Sequence, residues 1–326
     1  MRVKSATASL AIALAATAIG LSAPASAQTY PTRSVRMVIA FSAGGSIDTL
    51  GRILAQKLGE LWGQSVVVEN RTGGGGNIGT MAAAQAPPDG YTLHFAASSI
   101  AVNVTLAPVP GFDPIKDFEP VMLVASAQDI LIVPPNSPYK SVKDLIDSAK
   151  ASPKKLTYAS LGNSSAGHLG MSVLSNLAGI QLQQVPYTQT AQITTDIMSG
   201  RVDTFLPTTG GHIGNVTTGR VRALAVSGKT RSTQLPDVPT FEEQGVKFEE
   251  DTSWYAMFAP KGTPKDIVDK VNRDLARVLQ LPEVKERETA LGFRMIGGPP
   301  ERLRAYLKSE IEKWAAVAKT PAFTGQ

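Results

Sequence analysis

The sequence predicts an α/β protein with two domains, each built on a mostly parallel β-sheet flanked by helices. Hydrophobic strands alternate with segments of helical period, which indicates right-handed crossovers between parallel strands. Small residues follow the strands, and two apolar segments, at 121–133 and 253–259, are placed to pass from one domain to the other. Because parallel sheets bind ligands where their strands end, the small-residue loops are where we expect a site.

The N-terminal segment has the pattern of a cleavable secretory signal. Arg2 and Lys4 precede an apolar run at 10–21, and small residues follow at 25–27. A membrane anchor is the competing interpretation, but the apolar run is short for a bilayer span. We therefore expect export to the periplasm, with cleavage near Ala27.

The remaining chain is long enough for two domains with hydrophobic cores. We expect residues 28–127 and 253–326 to form the first domain and residues 128–252 to form the second. The two crossing segments would then form a hinge.

The composition excludes several classes of function. The 326 residues include no cysteine and carry a formal net charge of +5. Such a chain has no disulfides, no thiolate nucleophile and no cysteine-ligated metal. Its lysines and arginines are scattered and form no basic arm, which disfavours nucleic-acid binding.

The stretch at 41–48, Phe-Ser-Ala-Gly-Gly-Ser-Ile-Asp, turns a strand directly into the start of a helix. Its two glycines allow backbone angles closed to other residues, and the first amide groups of a new helix have no partner within it. Those donors, together with the helix dipole, favour an anion. The alternative is that Ser46 or Asp48 simply caps the helix.

Two further strand ends repeat this arrangement. A strand at 66–68 leads into the glycines at 73–76 and then a helix capped by Asn77. A third strand, at 91–96, ends just before Ser98. All three loops are therefore expected at one edge of the first sheet.

The run Gly-x-Gly-x-x-Gly at 74–79 formally matches the dinucleotide-binding fingerprint. That fingerprint belongs to the first strand and needs an acid at the end of the next one, but here the next strand ends Ala96-Ala97-Ser98. We interpret the glycines as room for close backbone approach to a smaller ligand.

The second domain repeats the opening design. A strand at 156–158 runs into the small residues 159–165, and the following helix carries His168. Tyr187 and Asp203 are expected at the carboxyl edge of the second sheet, although each alone is as well explained as an ordinary strand-end residue. Facing edges of two domains form a cleft, the usual place for a small-molecule site.

Histidines, serines and acids give only weak signals for catalysis. Ser165, His168 and Asp203 supply the residue types of a hydrolase triad, but the first two are three apart and no Gly-x-Ser-x-Gly elbow is present. Neither His94 nor His212 forms a pair with metal-ligand spacing. We expect no catalytic residue, no metal and no cofactor.

A series of motifs occurs in an order and spacing that is very specific. They lie at 41–48, 67–79, 87–92, 158–165 with His168, 185–187, 200–203, 222–226 and 231–240. With them the chain resembles the Bug or TctC family, the periplasmic solute-binding proteins of tripartite tricarboxylate transporters, over essentially its whole mature length. The resemblance implies a two-domain type II periplasmic binding protein, or Venus flytrap, that closes on a small organic acid.

The resemblance also implies which residues bind the ligand. The first two loops would hold one carboxylate of the ligand, partly through ordered waters. Tyr187 and Asp203 would close over the far end of the ligand, where an acid commonly meets an amino or hydroxyl group. The implied residues are Ser42, Ala43, Gly44, Gly45, Asp48, Thr72, Asn77, Ser98, Ser160, Gly162, Ser164, Ser165, His168, Tyr187 and Asp203. The chain departs from the family pattern at Thr188-Gln189 and 205–211, where specificity is usually set.

The function implied is a non-enzymatic receptor that captures an organic carboxylate and delivers it to the membrane subunits of a tripartite tricarboxylate-type transporter. We expect a monomer. Two alternatives are a receptor that feeds a membrane sensor kinase and a periplasmic hydrolase. For the first loop, we expect Asp48→Ala to weaken ligand binding more than folding.

Overall fold

The strands of the protein form two separate sheets. The computed structural model describes residues 30–319 apart from 164, 249–252 and 291, so the predicted signal peptide at 1–27 lies outside the described residues. In chain order the strands are β1 (Val35–Ile39), β2 (Val66–Asn70), β3 (Thr92–Ala97), β4 (Phe118–Ala127), β5 (Ile130–Val133), β6 (Thr157–Ser160), β7 (Gln183–Pro186), β8 (Thr204–Phe205), β9 (Arg222–Val226), β10 (Ser253–Pro260) and β11 (Phe293–Met295).

Helices connect most of these strands. In chain order they are α1 (Ser46–Trp62), α2 (Asn77–Ala84), α3 (Ser99–Leu106), α4 (Pro114–Asp117), α5 (Val142–Ala151), α6 (Ala166–Ala178), α7 (Thr190–Ser199), α8 (Ile213–Thr217), α9 (Lys265–Val278), α10 (Pro282–Ala290) and α11 (Pro300–Val317). Short 3₁₀ turns lie at Gly74–Gly76, Thr209–Gly211 and Glu242–Gln244. None of the helices in the described part of the chain combines the length and hydrophobicity needed to cross a bilayer.

The larger sheet has six strands in the order β11-β4-β10-β3-β1-β2. Its strands β2, β1 and β3 are parallel, whereas β10, β4 and β11 pair antiparallel. We call this sheet and its helices the first lobe. The parallel half contains the strands whose following loops were predicted to bind a ligand.

The smaller sheet has five strands in the order β7-β6-β8-β5-β9. Strand β6 is parallel to β7 and β8, and β5 is antiparallel to β8 and β9. We call this sheet and its helices the second lobe. Its central strand β8 is only two residues long, which becomes important for the position of Asp203.

The chain passes from the first lobe to the second between β4 and β5 and re-enters the first lobe at β10. Asp129 lies in the short link after β4 and is fully buried. Its backbone N–H donates to Ser227 Oγ (2.8 Å), and the Ser253 hydroxyl donates to its carboxylate (2.9 Å). Asp129 therefore ties the two crossing segments together, while the predicted domain boundaries after 127 and 252 stay a prediction.

Helix α1 forms because its apolar residues recur on one face. Leu50, Leu54 and Leu58 are completely buried, so the helix packs against the first sheet immediately after the strand that precedes it. Gly63 ends the helix in the left-handed conformation. This packing fixes the direction of α1 and with it the position of the helix N-terminus at the sheet edge.

Three buried histidines make the folded state sensitive to acid. His94 in β3 donates from Nδ1 to the Val38 carbonyl and accepts at Nε2 from the Thr80 hydroxyl, both at 3.1 Å. Burial lowers the pKa of His94 to about 4, although the hydrogen bond to Val38 acts in the opposite direction. Burial also lowers the pKa values of His168 and His212 to about 4.

The free energy of unfolding should therefore fall as the pH drops from 6.5 towards 4. The unfolded chain protonates these histidines near pH 6.5 and the folded chain only near pH 4, so protons bind preferentially to the unfolded state in this range. Each histidine contributes roughly 2 kcal/mol to the difference between pH 7 and pH 5. Urea unfolding at the two pH values should show that difference reduced by this amount in His94→Leu. An unchanged difference in the variant would contradict the role of His94.

Candidate ligand-binding site

A cavity of about 160 Å³ lies between the two lobes. Its lining comes from strand ends and helix starts of both lobes, and none of the lining residues is an acid, a lysine or an arginine. The lining residues are Phe41, Ser42, Gly44, Gly45, Ser46, Ile47, Ala97, Ser98, Ser99, Leu161, Ser165, Ala166, Gly167, Thr190, Phe205, Leu206, Pro207, Thr208, Gly211, His212, Ser253 and Tyr255. A cavity of about 150 Å³ accommodates one benzene ring, so this space suits a small organic molecule.

Three helix N-termini reach this cavity. Helix α1 begins after Gly45, α3 after Ser98 and α6 after Ser165, and each of these residues lines the cavity. Neither α1 nor α3 has a side-chain cap, whereas the Ser165 hydroxyl accepts a hydrogen bond from the His168 backbone N–H at 3.4 Å. The first amide groups of a helix and its dipole attract negative charge, so the cavity favours an anion without a cationic side chain.

The loop before α1 is held by a buried carboxylate. Asp48 is 3% exposed, and its Oδ2 accepts from the Gly44 N–H and from Arg52 Nε, both at 2.9 Å. Its Oδ1 accepts from Asn70 Nδ2 at 2.9 Å. Burial raises the pKa of Asp48, but the hydrogen bonds from Arg52, Gly44 and Asn70 outweigh burial and leave the pKa below its usual value. The carboxylate thus stabilises the Gly44 conformation (φ +84°), which would strain other residues.

Hydroxyl groups join the lobes beside the cavity. Ser46 Oγ of the first lobe is hydrogen-bonded to Thr208 Oγ1 of the second, and the Tyr255 hydroxyl is bonded to both. Burial and the charge of Asp129 raise the pKa of Tyr255, whereas the hydrogen bonds with Ser46 and Thr208 lower it, and the net shift is upward. Tyr255 is therefore a neutral hydrogen-bonding group at neutral pH.

His212 lies on the second-lobe side of the cavity, directly after the 3₁₀ turn Thr209–Gly211. Its ring meets the ring of Phe205 edge-on, with centroids 5.6 Å apart. The residue is 2% exposed, and its Nδ1 is buried without a hydrogen-bond partner among the described residues. With its pKa lowered to about 4 by burial, the imidazole is neutral at neutral pH.

Five of the residues predicted to bind ligand line the cavity. They are Ser42, Gly44, Gly45, Ser98 and Ser165. Ser98 is 2% exposed, and its hydroxyl makes no capping hydrogen bond to α3. These five residues belong to the loops that follow β1, β3 and β6.

The residues predicted around the second loop lie behind the cavity. Ala43 and Thr72 are exposed and do not line it. Asn77 donates from Nδ2 to the Ala107 carbonyl (2.8 Å), and its Oδ1 accepts from Asn103 Nδ2 (2.7 Å). Asn77 therefore fastens the glycine loop to α3.

Gly79 was expected from the sequence to make room for a ligand, but the structure gives it another role. A Cβ at Gly79 would lie 2.5 Å from the Arg71 carbonyl oxygen and 2.7 Å from Ala40 Cα. The close backbone approach at this position is thus to the protein's own chain, where α2 packs on the first sheet. The expectation that this glycine makes room for a ligand is wrong.

In the second lobe, predicted residues build the loop before α6. Ser160 Oγ accepts from Gln184 Nε2 at 2.7 Å, and the Gly162 carbonyl accepts from the Ser165 hydroxyl at 2.8 Å. His168 is buried, and its Nδ1 is bonded to the Tyr158 hydroxyl at 2.8 Å. Ser160, Gly162 and His168 do not line the cavity, and Ser164 lies outside the described residues.

Ser165, His168 and Asp203 do not form a catalytic relay. The Ser165 hydroxyl donates to the Gly162 carbonyl, and His168 Nδ1 pairs with Tyr158. Asp203 accepts from the backbone N–H and the hydroxyl of Thr157. Each residue type of the triad is present, but each makes its side-chain contacts elsewhere.

Asp203 was expected at the carboxyl edge of the second sheet, and that placement is wrong. Strand β8 begins only at Thr204, so Asp203 precedes it and sits beside Thr157, the first residue of the parallel strand β6. The acid is therefore at the amino end of the sheet. Tyr187 does follow the carboxyl end of β7, and its hydroxyl donates to Asp196 Oδ2 at 3.0 Å without lining the cavity.

Sequence reasoning missed four residues of the cavity lining. Thr208, His212, Ser253 and Tyr255 all line the cavity. Ser253 and Tyr255 lie in β10, where a small and an aromatic residue are indistinguishable from core residues by pattern. The glycines before His212, Gly210 and Gly211, indicated an irregular turn. They did not indicate that the histidine after this turn lines the cavity.

No metal centre is evident in the part of the chain that the structure describes. Groups of three or more histidine, aspartate or glutamate side chains placed to hold an ion are absent from those residues. The histidine at the cavity has apolar and hydroxyl neighbours in the lining.

Two lobes built on mixed sheets, two crossing segments and a cavity between the lobes define a periplasmic binding protein fold. Residues 50–322 match the model of the TctC family, described as tripartite tricarboxylate transporter family receptor. The chain belongs to the TctC family. The resemblance and the two-domain periplasmic binding protein fold predicted from the sequence are thus confirmed. The sheets differ from the prediction in being mixed and not mostly parallel.

Solved structures of similar proteins agree with this assignment. The periplasmic binding protein BugD is 36% identical, with a TM-score of 0.83 over 89% of this chain and 98% of its own. A protein of R. palustris, solved with adipate, is 34% identical, with a TM-score of 0.84 over 89% and 97%. MatC from Rhodopseudomonas palustris, solved with bound malate, is 29% identical, with a TM-score of 0.83 over 89% and 100%.

Asp48→Ala should lower the free energy of unfolding by about 2 kcal/mol, because three donors lose one buried charged acceptor. From the sequence we expected Asp48→Ala to weaken ligand binding more than folding, whereas the hydrogen bonds of Asp48 lead us to expect the larger effect on folding. The matched control is Arg52→Ala, which removes only a half-exposed partner and should cost less than about 1 kcal/mol. Urea unfolding of both variants measures the two costs, and equal costs would contradict the bracing role of Asp48.

Proposed function

We propose that this protein is an extracytoplasmic receptor that captures a small organic carboxylate in the cavity between its lobes. The observation that carries the proposal is the convergence of the N-termini of α1, α3 and α6 on an interlobe cavity lined by small, hydroxyl and apolar side chains. Its relatives with adipate and malate support an organic acid as the ligand.

Backbone amides and hydroxyls take the place of the water that the carboxylate loses. Ser42, Gly44, Gly45, Ser98 and Ser165 are the predicted residues with access to the ligand, and hydrogen bonds to a charged acceptor are stronger than neutral ones. Asp48, Asn77, Ser160, Gly162 and His168 act by holding these loops. Water bridges allow one site to accept related acids.

The receptor delivers its ligand to the membrane subunits of a tripartite tricarboxylate-type transporter, as the family description suggests. Rotation of the lobes about the two crossing segments makes the bound state distinct to the membrane partner. A receptor that feeds a sensor kinase would use the same cleft. Capture of membrane proteins by ligand-loaded receptor, followed by mass spectrometry, distinguishes transporter subunits from a kinase.

The mature protein begins near Gln28 after cleavage of the signal, is periplasmic and monomeric, and has no enzymatic activity of its own. Its two domains comprise residues 28–127 with 253–326 and residues 128–252. N-terminal sequencing of protein from the periplasmic fraction tests the cleavage site.

Introduction of a negative charge at the helix starts should weaken ligand binding strongly. Ser98→Asp places a carboxylate at the N-terminus of α3, where it is favourable for the fold but repels the ligand. The expected loss of affinity is roughly 100-fold or more, because like charges about 4 Å apart in a protein repel by several kcal/mol. The matched control, Ser98→Asn, has similar shape and no charge and should lose less than tenfold.

The experiment is calorimetry with a panel of organic acids on protein from which co-purified ligand has been removed by unfolding and refolding. Wild-type protein that binds none of the acids would contradict the proposed function. Wild-type affinity in Ser98→Asp would contradict the placement of the carboxylate at these helix starts.

A further inference from the structure

We propose that the cavity selects a monocarboxylate whose apolar body carries one uncharged hydroxyl group, and that His212 recognises this hydroxyl. The inference rests on the proposed function and names the chemical class of its ligand. It follows from three features of the cavity: its apolar walls, the absence of lysine and arginine from its lining, and the presence in that lining of His212, whose buried Nδ1 has no partner among the described residues.

The walls away from the hydroxyl groups are apolar. Phe41, Ile47, Leu161, Phe205, Leu206 and Pro207 are among the lining residues. An apolar lining of this kind favours a ring or a short hydrocarbon chain, since burial of apolar groups away from water is favourable. The volume of about 160 Å³ limits the body of the ligand to roughly the size of one aromatic ring.

The lining offers no cation for a second carboxylate. A single carboxylate is served by the helix N-termini, but a dianion would bury a second charge among residues that include no lysine or arginine. An uncompensated buried charge is strongly unfavourable. This disfavours dicarboxylates such as those found in the two R. palustris relatives.

His212 brings a polar ring to the cavity lining. Its Nδ1 is buried and has no hydrogen-bond partner among the described residues. A neutral imidazole has one N–H donor and one acceptor nitrogen, and an unpaired group of this kind is unfavourable in a buried place. A ligand in the cavity lies beside this imidazole.

A hydroxyl is the group that fits a neutral imidazole in either tautomer, because it both donates and accepts a hydrogen bond. The ring of Phe205 packs edge-on against the histidine ring. The backbone N–H of His212 is bonded to the Thr209 carbonyl at 2.9 Å, which anchors the residue itself. His212 is thus the residue of the lining that we assign to recognition of the ligand hydroxyl.

Two matched sets of acids test the proposal: benzoate, 4-hydroxybenzoate and terephthalate, and hexanoate, 6-hydroxyhexanoate and adipate. Calorimetry on ligand-free wild-type protein should show, in at least one set, the hydroxy acid binding about tenfold tighter than the plain acid, which corresponds to about 1.4 kcal/mol. The dicarboxylate of that set should bind most weakly.

The variants separate recognition from a structural role. His212→Phe keeps an aromatic ring beside Phe205 and removes both nitrogens, so it should bring the affinity ratio of hydroxy acid to plain acid close to one while the plain acid still binds. His212→Gln keeps a hydrogen-bonding group and should retain part of the preference. It also serves as the second variant should the first be unstable. A residue that merely supports the fold would change the affinity for both acids equally.

Three outcomes overturn the inference. One is tightest binding of the dicarboxylate in both sets, and another is an unchanged affinity ratio in His212→Phe. Either leaves the proposed function standing, because a carboxylate is still captured. The third is the absence of binding by any acid, which overturns the proposed function together with the inference.

Discussion

The site depends on a geometric property of parallel strands: the helix that follows each strand begins at the same edge of the sheet. In the first lobe β1 and β3 are neighbours, so α1 and α3 begin close together, and in the second lobe α6 begins after β6. Each helix start brings amide groups that the helix cannot satisfy itself. Backbone dipoles thereby supply the positive potential that side chains of the cavity lining do not.

Most polar side chains near this edge serve the scaffold and do not face the cavity. Asp48 fixes the Gly44 loop, Asn77 connects the glycine loop with α3, and Ser160 accepts from Gln184. Such internal hydrogen bonds hold the loops in one conformation before any ligand arrives. Ligand binding then costs less conformational entropy, because the hydrogen-bond donors of these loops are already held in position.

The local sequence pattern was sufficient to predict the loops that line the cavity, because each consists of a strand, a turn of small residues and a helix start that follow one another directly in the sequence. Ser42, Gly45 and Ser98 were found in this way. Asp203 was misplaced because the run Val202-Asp203-Thr204-Phe205 reads as one strand, whereas β8 holds only its last two residues. Whether such a residue stands at the amino or the carboxyl end depends on register with β6, which is a tertiary property.

The remaining site residues were not predictable for a related reason. His212 follows irregular turns between β8 and α8. In such a segment neither the helical nor the strand period of hydrophobic residues predicts which way a side chain points. Tyr255 lies in a completely buried strand and acquires its role only because Ser46 and Thr208 come from two different lobes. The contact between Ser46 and Thr208 joins positions 162 residues apart, and the pattern of a single sequence contains no information on it.

The Ser46, Thr208 and Tyr255 hydroxyls have a kinetic consequence. These hydroxyls are neutral, and replacing their hydrogen bonds to each other by hydrogen bonds to water costs little free energy. They therefore connect the lobes only weakly. In the proposed receptor, the ligand itself supplies the free energy that favours the joined form over an open one. Its residence time then depends on how firmly it bridges the two lobes.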